Sequence, residues 1–114
     1  MRLDSYEKPC PPLSVDEVVD VLMDRWGVRY DMRIVIKDNC IYLHIMWAFL
    51  EQKSFYLSED EYLERIAYIL EILNRLGNAS KVREWLLTCS SRPRLGKAVS
   101  LTLKRDHRSE EFLI

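Results

Sequence analysis

Residues 30–47 read YDMRIVIKDNCIYLHIMW, and the pattern is that of two strands closed by a short turn at Asp38-Asn39. In the first half Tyr30, Met32, Ile34 and Ile36 alternate with Asp31, Arg33, Val35 and Lys37, a period of two that turns one apolar edge toward a core. In the second half Ile41, Leu43, Ile45 and Trp47 share a face, which leaves Cys40, Tyr42, His44 and Met46 on the other. Asp and Asn tolerate the positive φ that a two-residue hairpin turn demands, so the connection has a mechanism. A lone hairpin is only marginally stable in water, and the flanking segments are therefore expected to cover it.

Working outward, LSVDE at 13–17 announces a first helix, with Ser14 as cap, Glu17 as capping-box partner and Leu13 as staple onto Val18. Val15, Val18, Val19, Leu22 and Trp26 follow helical spacing, Asp16, Glu17, Asp20 and Asp24 take the opposite side, and Gly27 ends the helix. Beyond the hairpin, Phe55 and Leu57 suggest a turn followed by a short strand at 53–57. LSEDE at 57–61 repeats the first capping device and opens a long helix striped by Tyr62, Ile66, Ile69, Leu70, Leu73 and Leu76. Outward pairs Glu61–Arg65 and Glu71–Arg75 are expected along it, and Gly77 closes it. Asn78 is expected to cap a third helix through roughly Ser90. Pro93 and Gly96 then break the helical pattern, and residues 98–103 alternate as a last strand that needs a partner in the hairpin.

The fold class expected is therefore α+β: helix, β-hairpin, short strand, two helices and a final strand. Its sheet is mainly antiparallel, of three to four strands, with helices packed on one face. The divisions expected are a flexible lead-in over 1–12, one domain over 13–104 and a charged tail over 105–114. A chain of 114 residues, 48% hydrophobic and 31% charged, has the composition of a single globular domain large enough to need neither disulfide nor metal. Cys10, Cys40 and Cys89 are odd in number and scattered, which points to a reducing compartment and ordinary thiols; no basic partner for Cys10 is evident. No apolar run reaches the length of a membrane span, and the N-terminus reads as neither a signal nor a transit peptide.

Three blocks, WGVRYDMRI, IMWAFLEQKSF and SRPRLGKAVSL, resemble a family of small cyanobacterial and chloroplast proteins of uncharacterised function, DUF3067. The resemblance runs over about residues 13–103. It implies a setting, the cyanobacterial cytoplasm or, for a mature plastid form, the stroma. It implies no reaction and no catalytic residues.

The chemistry read from the residues is correspondingly sparse. His44 and His107 lack the spacing of a metal site, and His44 reads as a half-buried packing residue; no metal and no cofactor are expected. The glycines are isolated, Ser90-Ser91 has no nucleophile-elbow context, and no catalytic residues are assigned. Charge is the distinctive feature. Residues 81–108 carry eight Lys or Arg against Glu84 and Asp106, an excess of six, and since the whole chain stands at −1 the remainder must stand at −7. A basic side suits acidic protein surface, anionic headgroups or nucleic acid. Its sharpest part is Arg92-Pro93-Arg94, because proline stiffens a loop whose two guanidinium groups can grip carboxylate or phosphate. The alternative is that one of these arginines caps a helix C-terminal carbonyl or pairs with a carboxylate such as Asp31.

The leading expectation is a non-enzymatic interaction or assembly factor that meets an acidic protein partner through Arg92, Arg94 and Lys97. Tyr42, His44 and Met46 on the open sheet face form a second contact surface. The runner-up is an RNA-binding module, against which a sequence pI near 6.1 weighs, and the third is an enzyme with an unrecognised site.

Overall fold

The computed structural model describes residues 10–103. The tail at 105–114, with Lys104 and His107, lies outside them, as does most of the expected lead-in.

Ser14 opens helix α1 (Val15–Trp26) by accepting the Glu17 N–H, and Gly27, at φ 76°, closes it with its own N–H on the Met23 carbonyl. Only half of the expected capping box forms. The Glu17 carboxylate does not reach back to the cap but turns across to Arg83, a charge-assisted partner that outbids a single backbone N–H. Arg83 also donates to the carbonyls of Pro11 and Pro12 and, at 3.0 Å, to the Cys10 sulfur, so Cys10 has a basic neighbour that the sequence did not announce. Leu13 is buried, its N–H and carbonyl both bonded to the Asn74 side chain.

The hairpin is β1 (Tyr30–Lys37) and β2 (Cys40–Phe49), joined by Asp38 and Asn39 at φ 54° and 64°, the consecutive left-handed residues of a tight hairpin turn. Met32 faces Ile45, Ile34 faces Leu43 and Ile36 faces Ile41 across the pair. Ile41, Leu43 and Ile45 are buried as the alternation requires, whereas Ile36, at the hairpin tip, is left 68% exposed.

Trp47 departs from the expected face. Tyr30 pairs with Phe49 and Met32 with Ile45, so three residues of β2 stand opposite Asp31 alone. This bulge rotates the strand, and Trp47 emerges 36% exposed against the edge of Phe49 instead of joining the core. Asp31, expected to face outward, is 1% exposed.

No strand forms at 53–57. The chain coils there through successive turns, Gln52 N–H to the Phe49 carbonyl and Phe55 N–H to the Gln52 carbonyl, which use locally the groups a fourth strand would need. Helix α2 (Glu59–Arg75) follows with both halves of its capping box made, Ser58 to Glu61 and back. That bond holds Glu61 away from Arg65, which approaches Asp31 instead; the expected Glu71–Arg75 pair does form, at 2.9 Å. Helix α3 (Ala79–Thr88) stops short of Ser90, and Asn78 makes no side-chain cap: its amide donates back to the Leu76 carbonyl.

Strand β3 (Val99–Leu103) pairs antiparallel with β2, Leu103 to Ile41 and Val99 to Ile45, giving a three-stranded antiparallel sheet in the order β1-β2-β3. Its apolar face and the three helices share one core, with Val18, Leu22, Met32, Leu43, Tyr62 and Leu73 fully buried. Among the described residues no helix is long and apolar enough to cross a membrane.

Candidate functional site

β2 outruns β3. The β3 ladder ends at Val99 opposite Ile45, so the bulged residues 46–48 have no β3 partner, and the chain preceding β3 draws away from them as a turn at 94–97. The space between is a cleft of about 410 Å³ bordered by Asp31, Arg33, Met46, Trp47, Tyr56 and the turn.

The turn is well defined. Arg94 N–H donates to the Lys97 carbonyl at 3.0 Å, Lys97 N–H returns a bond to the Arg94 carbonyl at 2.8 Å, and Gly96, at φ 78°, supplies the left-handed residue the reversal requires. Leu95 at its tip is 79% exposed, and Pro93 behind it is buried. Neither the Arg94 nor the Lys97 side chain has a hydrogen bond or ion pair among the described residues.

Arg92 behaves differently. Its Nε donates to the Tyr30 hydroxyl at 3.1 Å and its Nη2 to the Trp26 carbonyl at 3.4 Å, the last carbonyl of α1. Tyr30 is itself wedged edge-on between Trp26 and Phe49. Of the two arginines flanking Pro93, Arg92 thus ties the loop to the body of the fold, and the Arg94 side chain has no partner among the described residues.

The floor of the cleft is a network around Asp31. The Tyr56 hydroxyl donates to Asp31 Oδ2 at 2.7 Å, Met32 N–H donates to Oδ1 at 3.0 Å, and Arg33 and Arg65 stand 3.5 and 3.8 Å away. Both guanidinium groups also lie over the Tyr56 ring, within 6 Å of its centre. Burial, and next the bond to Asp31, push the Tyr56 phenol up from its ordinary value, so it acts here as a neutral hydrogen-bond donor. With a phenol, a backbone N–H and two cations around it, Asp31 is occupied as an acceptor. The phenol and the two guanidinium groups around it shape the floor of the cleft.

A second cavity of about 520 Å³ lies against the same turn, lined by Ser90, Ser91, Arg92, Arg94, Lys97 and Ser100 together with Ala98 and Val99. Arg94 and Lys97 border both spaces.

The structure therefore brings together Arg94, Lys97 and Met46 from the residues singled out in the sequence. Tyr42 and His44 remain on the open face, half-buried, their rings 6.3 Å apart, and border neither cavity. Sequence reasoning missed Asp31, Arg33, Trp47, Tyr56 and Leu95 as site residues. An aspartate lodged between the core residues Tyr30 and Met32 was the only local signal; the direction of Trp47 depends on a bulge that periodicity cannot show.

An α+β domain with this sheet and a cleft beside its basic turn is the class that the geometry defines. The family described as Domain of unknown function (DUF3067) matches residues 16–113, and the chain belongs to that family. The Alr2454 protein from Nostoc sp. strain PCC 7120, solved by NMR in solution, is 37% identical, with a TM-score of 0.79 over 90% of this chain and 98% of that one. Among curated proteins none matches.

Proposed function

We propose that this chain is a non-enzymatic binding module that docks an acidic segment of a protein partner, with an apolar side chain of that segment entering the cleft. One observation carries the reading: Trp47, Tyr56 and Leu95, three of the large apolar side chains exposed on the surface, converge on one cleft beside two cations that have no partner among the described residues. Exposed apolar groups rimmed by polar ones mark contact sites, and a desolvated aromatic supplies most of the affinity in such sites. Arg94 and Lys97 add orientation and charge selection. The Nostoc relative supports a cyanobacterial setting, and the cytoplasm is the compartment proposed.

The test pairs two variants. Arg94→Gln with Lys97→Gln is expected to keep stability within about 0.5 kcal/mol, as for surface changes without partners, and to lose the protein captured by wild type from nuclease-treated cyanobacterial lysate. Arg83→Met, which removes the ion pair to Glu17 and touches neither cavity, is expected to lower the melting temperature and to retain capture. The captured protein, identified and purified, should then bind wild type with an affinity that falls as salt rises. Capture that survives in the double variant refutes the reading. An RNA-binding reading draws on the Tyr42–His44 pair beside Arg33 on the open face, and capture abolished by nuclease would favour it.

A further inference from the structure

We infer that the anionic group seated at this turn is a phosphate monoester carried on a side chain of the partner, held in the second cavity; the inference rests on the protein-binding reading above. The first ground is composition. The cavity is bordered by three cationic side chains, Arg92, Arg94 and Lys97, and three hydroxyls, Ser90, Ser91 and Ser100, and among the described residues no carboxylate lines it.

The second ground is charge balance. Arg92 spends its two hydrogen bonds on neutral acceptors, a phenol and a peptide carbonyl, so its charge stays uncompensated among the described residues. Arg94 and Lys97 have no partner among the described residues. Three positive charges thus share one cavity without an anion among the described residues, an arrangement that repels itself and that a bound anion relieves. A phosphomonoester brings a charge of about −1.5 to −2 and three strong acceptor oxygens, against one charge and two oxygens for a carboxylate. Its oxygens can take guanidinium, ammonium and hydroxyl donors together, a match for what the lining presents.

The third ground is position, and it selects the carrier. Arg94 and Lys97 border both cavities, so a chain whose phosphate sits on one side of the turn continues into the cleft where Trp47, Met46 and Leu95 offer apolar contact. A nucleic-acid strand would need further unpaired cations along its track. Among the described residues the neighbouring candidates, Arg33 and Arg65, are engaged with Asp31 and Tyr56. The turn is closed by two backbone bonds and backed by a buried proline, so little ordering accompanies binding.

The experiment uses the whole chain and two degenerate peptide libraries alike except for one fixed position, phosphoserine in one and glutamate in the other. Inorganic phosphate and a single-stranded RNA oligomer are further arms, all titrated with amide shifts as readout. The phosphoserine library is expected to bind roughly tenfold more tightly than the glutamate library, as two or three additional charge-assisted bonds would give. Inorganic phosphate should move the amides of Ser91, Lys97 and Ser100 only at much higher concentration. Arg94→Gln with Lys97→Gln should abolish both, and Ser91→Ala with Ser100→Ala should remove the preference for phosphoserine while leaving glutamate binding intact, with folded spectra throughout. Equal binding of the two libraries overturns the phosphate inference and leaves the docking reading standing. Tighter binding of RNA than of either library overturns both. Shifts confined to residues away from the turn overturn the placement.

Discussion

Arg83 and Arg94 lie eleven positions apart in the same basic stretch, and they do opposite things. Arg83 reaches from α3 to α1, takes both oxygens of Glu17, and collects the Pro11 and Pro12 carbonyls and the Cys10 sulfur as well. Its charge is answered within the fold, and it clamps the entering chain to two helices. Arg94 stands on a turn closed by two backbone bonds, and its side chain has no partner among the described residues. A run of positive charge therefore does not define a surface: some of its cations hold the scaffold, and only the others are available to a binding partner of the kind proposed. Arg92 falls between, bonded to the body of the fold but without a counter-charge among the described residues.

The comparison is broken most severely at the floor of the cleft, which by its bonding belongs with the clamp. Asp31→Ala leaves the Tyr56 hydroxyl and the Met32 N–H without their acceptor and two arginines without their anion, and should cost about 3 kcal/mol by denaturant unfolding. A loss below about 1 kcal/mol would place Asp31 with the turn instead.

Arg83→Met keeps much of the side chain's volume and removes the clamp. The Arg83–Glu17 pair is bidentate and only partly exposed, so the expected loss is about 1–2 kcal/mol, read as a fall of roughly 4–15 °C in melting temperature. The phosphoserine library should bind this variant as it binds wild type while the fold persists; parallel loss of both would mean that clamp and turn are one unit.

The smallest effect is in pH. The Arg83 bond is the main cause that holds the Glu17 carboxyl below its usual 4.5, against an opposing push from burial, and backbone and side-chain bonds to Ser58 do the same for Glu61. A carboxyl with a depressed folded pKa contributes stability that is complete above its unfolded value and disappears as pH falls through the folded one. The melting temperature should therefore decline below about pH 4.5, and Arg83→Met should flatten that decline. Phosphopeptide binding should weaken already from about pH 6, where the phosphate takes up its second proton. A melting temperature falling over that same higher window would erase the distinction between the two regions.

Much of the architecture was legible because it rests on neighbours in the chain. Asp38-Asn39 sets the hairpin turn through two positive φ angles, and Ser58 with Glu61 starts α2 through contacts three residues apart. Glu17 shows where such reading fails: its capping-box position is correct, yet a distant arginine competes for the carboxylate and wins. The strand expected at 53–57 fails for a related reason, since a short apolar alternation forms a strand only where an edge accepts it, and here local turns take the backbone groups first. The candidate site was legible in its basic turn and hidden in its cleft. Leu95 and Tyr56 look in the sequence like any surface-loop residue and any aromatic.

By itself, the chain's order of residues determined the hairpin, the stripes of α1 and α2, the left-handed turn at Gly96 and the local excess of positive charge, all of which depend on backbone preference and on spacing of a few residues. Tertiary structure alone decided that Trp47 leaves the core through a bulge, that Asp31 is buried and bonded to Tyr56, and that Arg83 and Arg92 are engaged while Arg94 and Lys97 have no partner among the described residues. Those outcomes depend on which groups far apart in the chain meet, and a charge or an aromatic ring carries no local mark of whether it will find a partner.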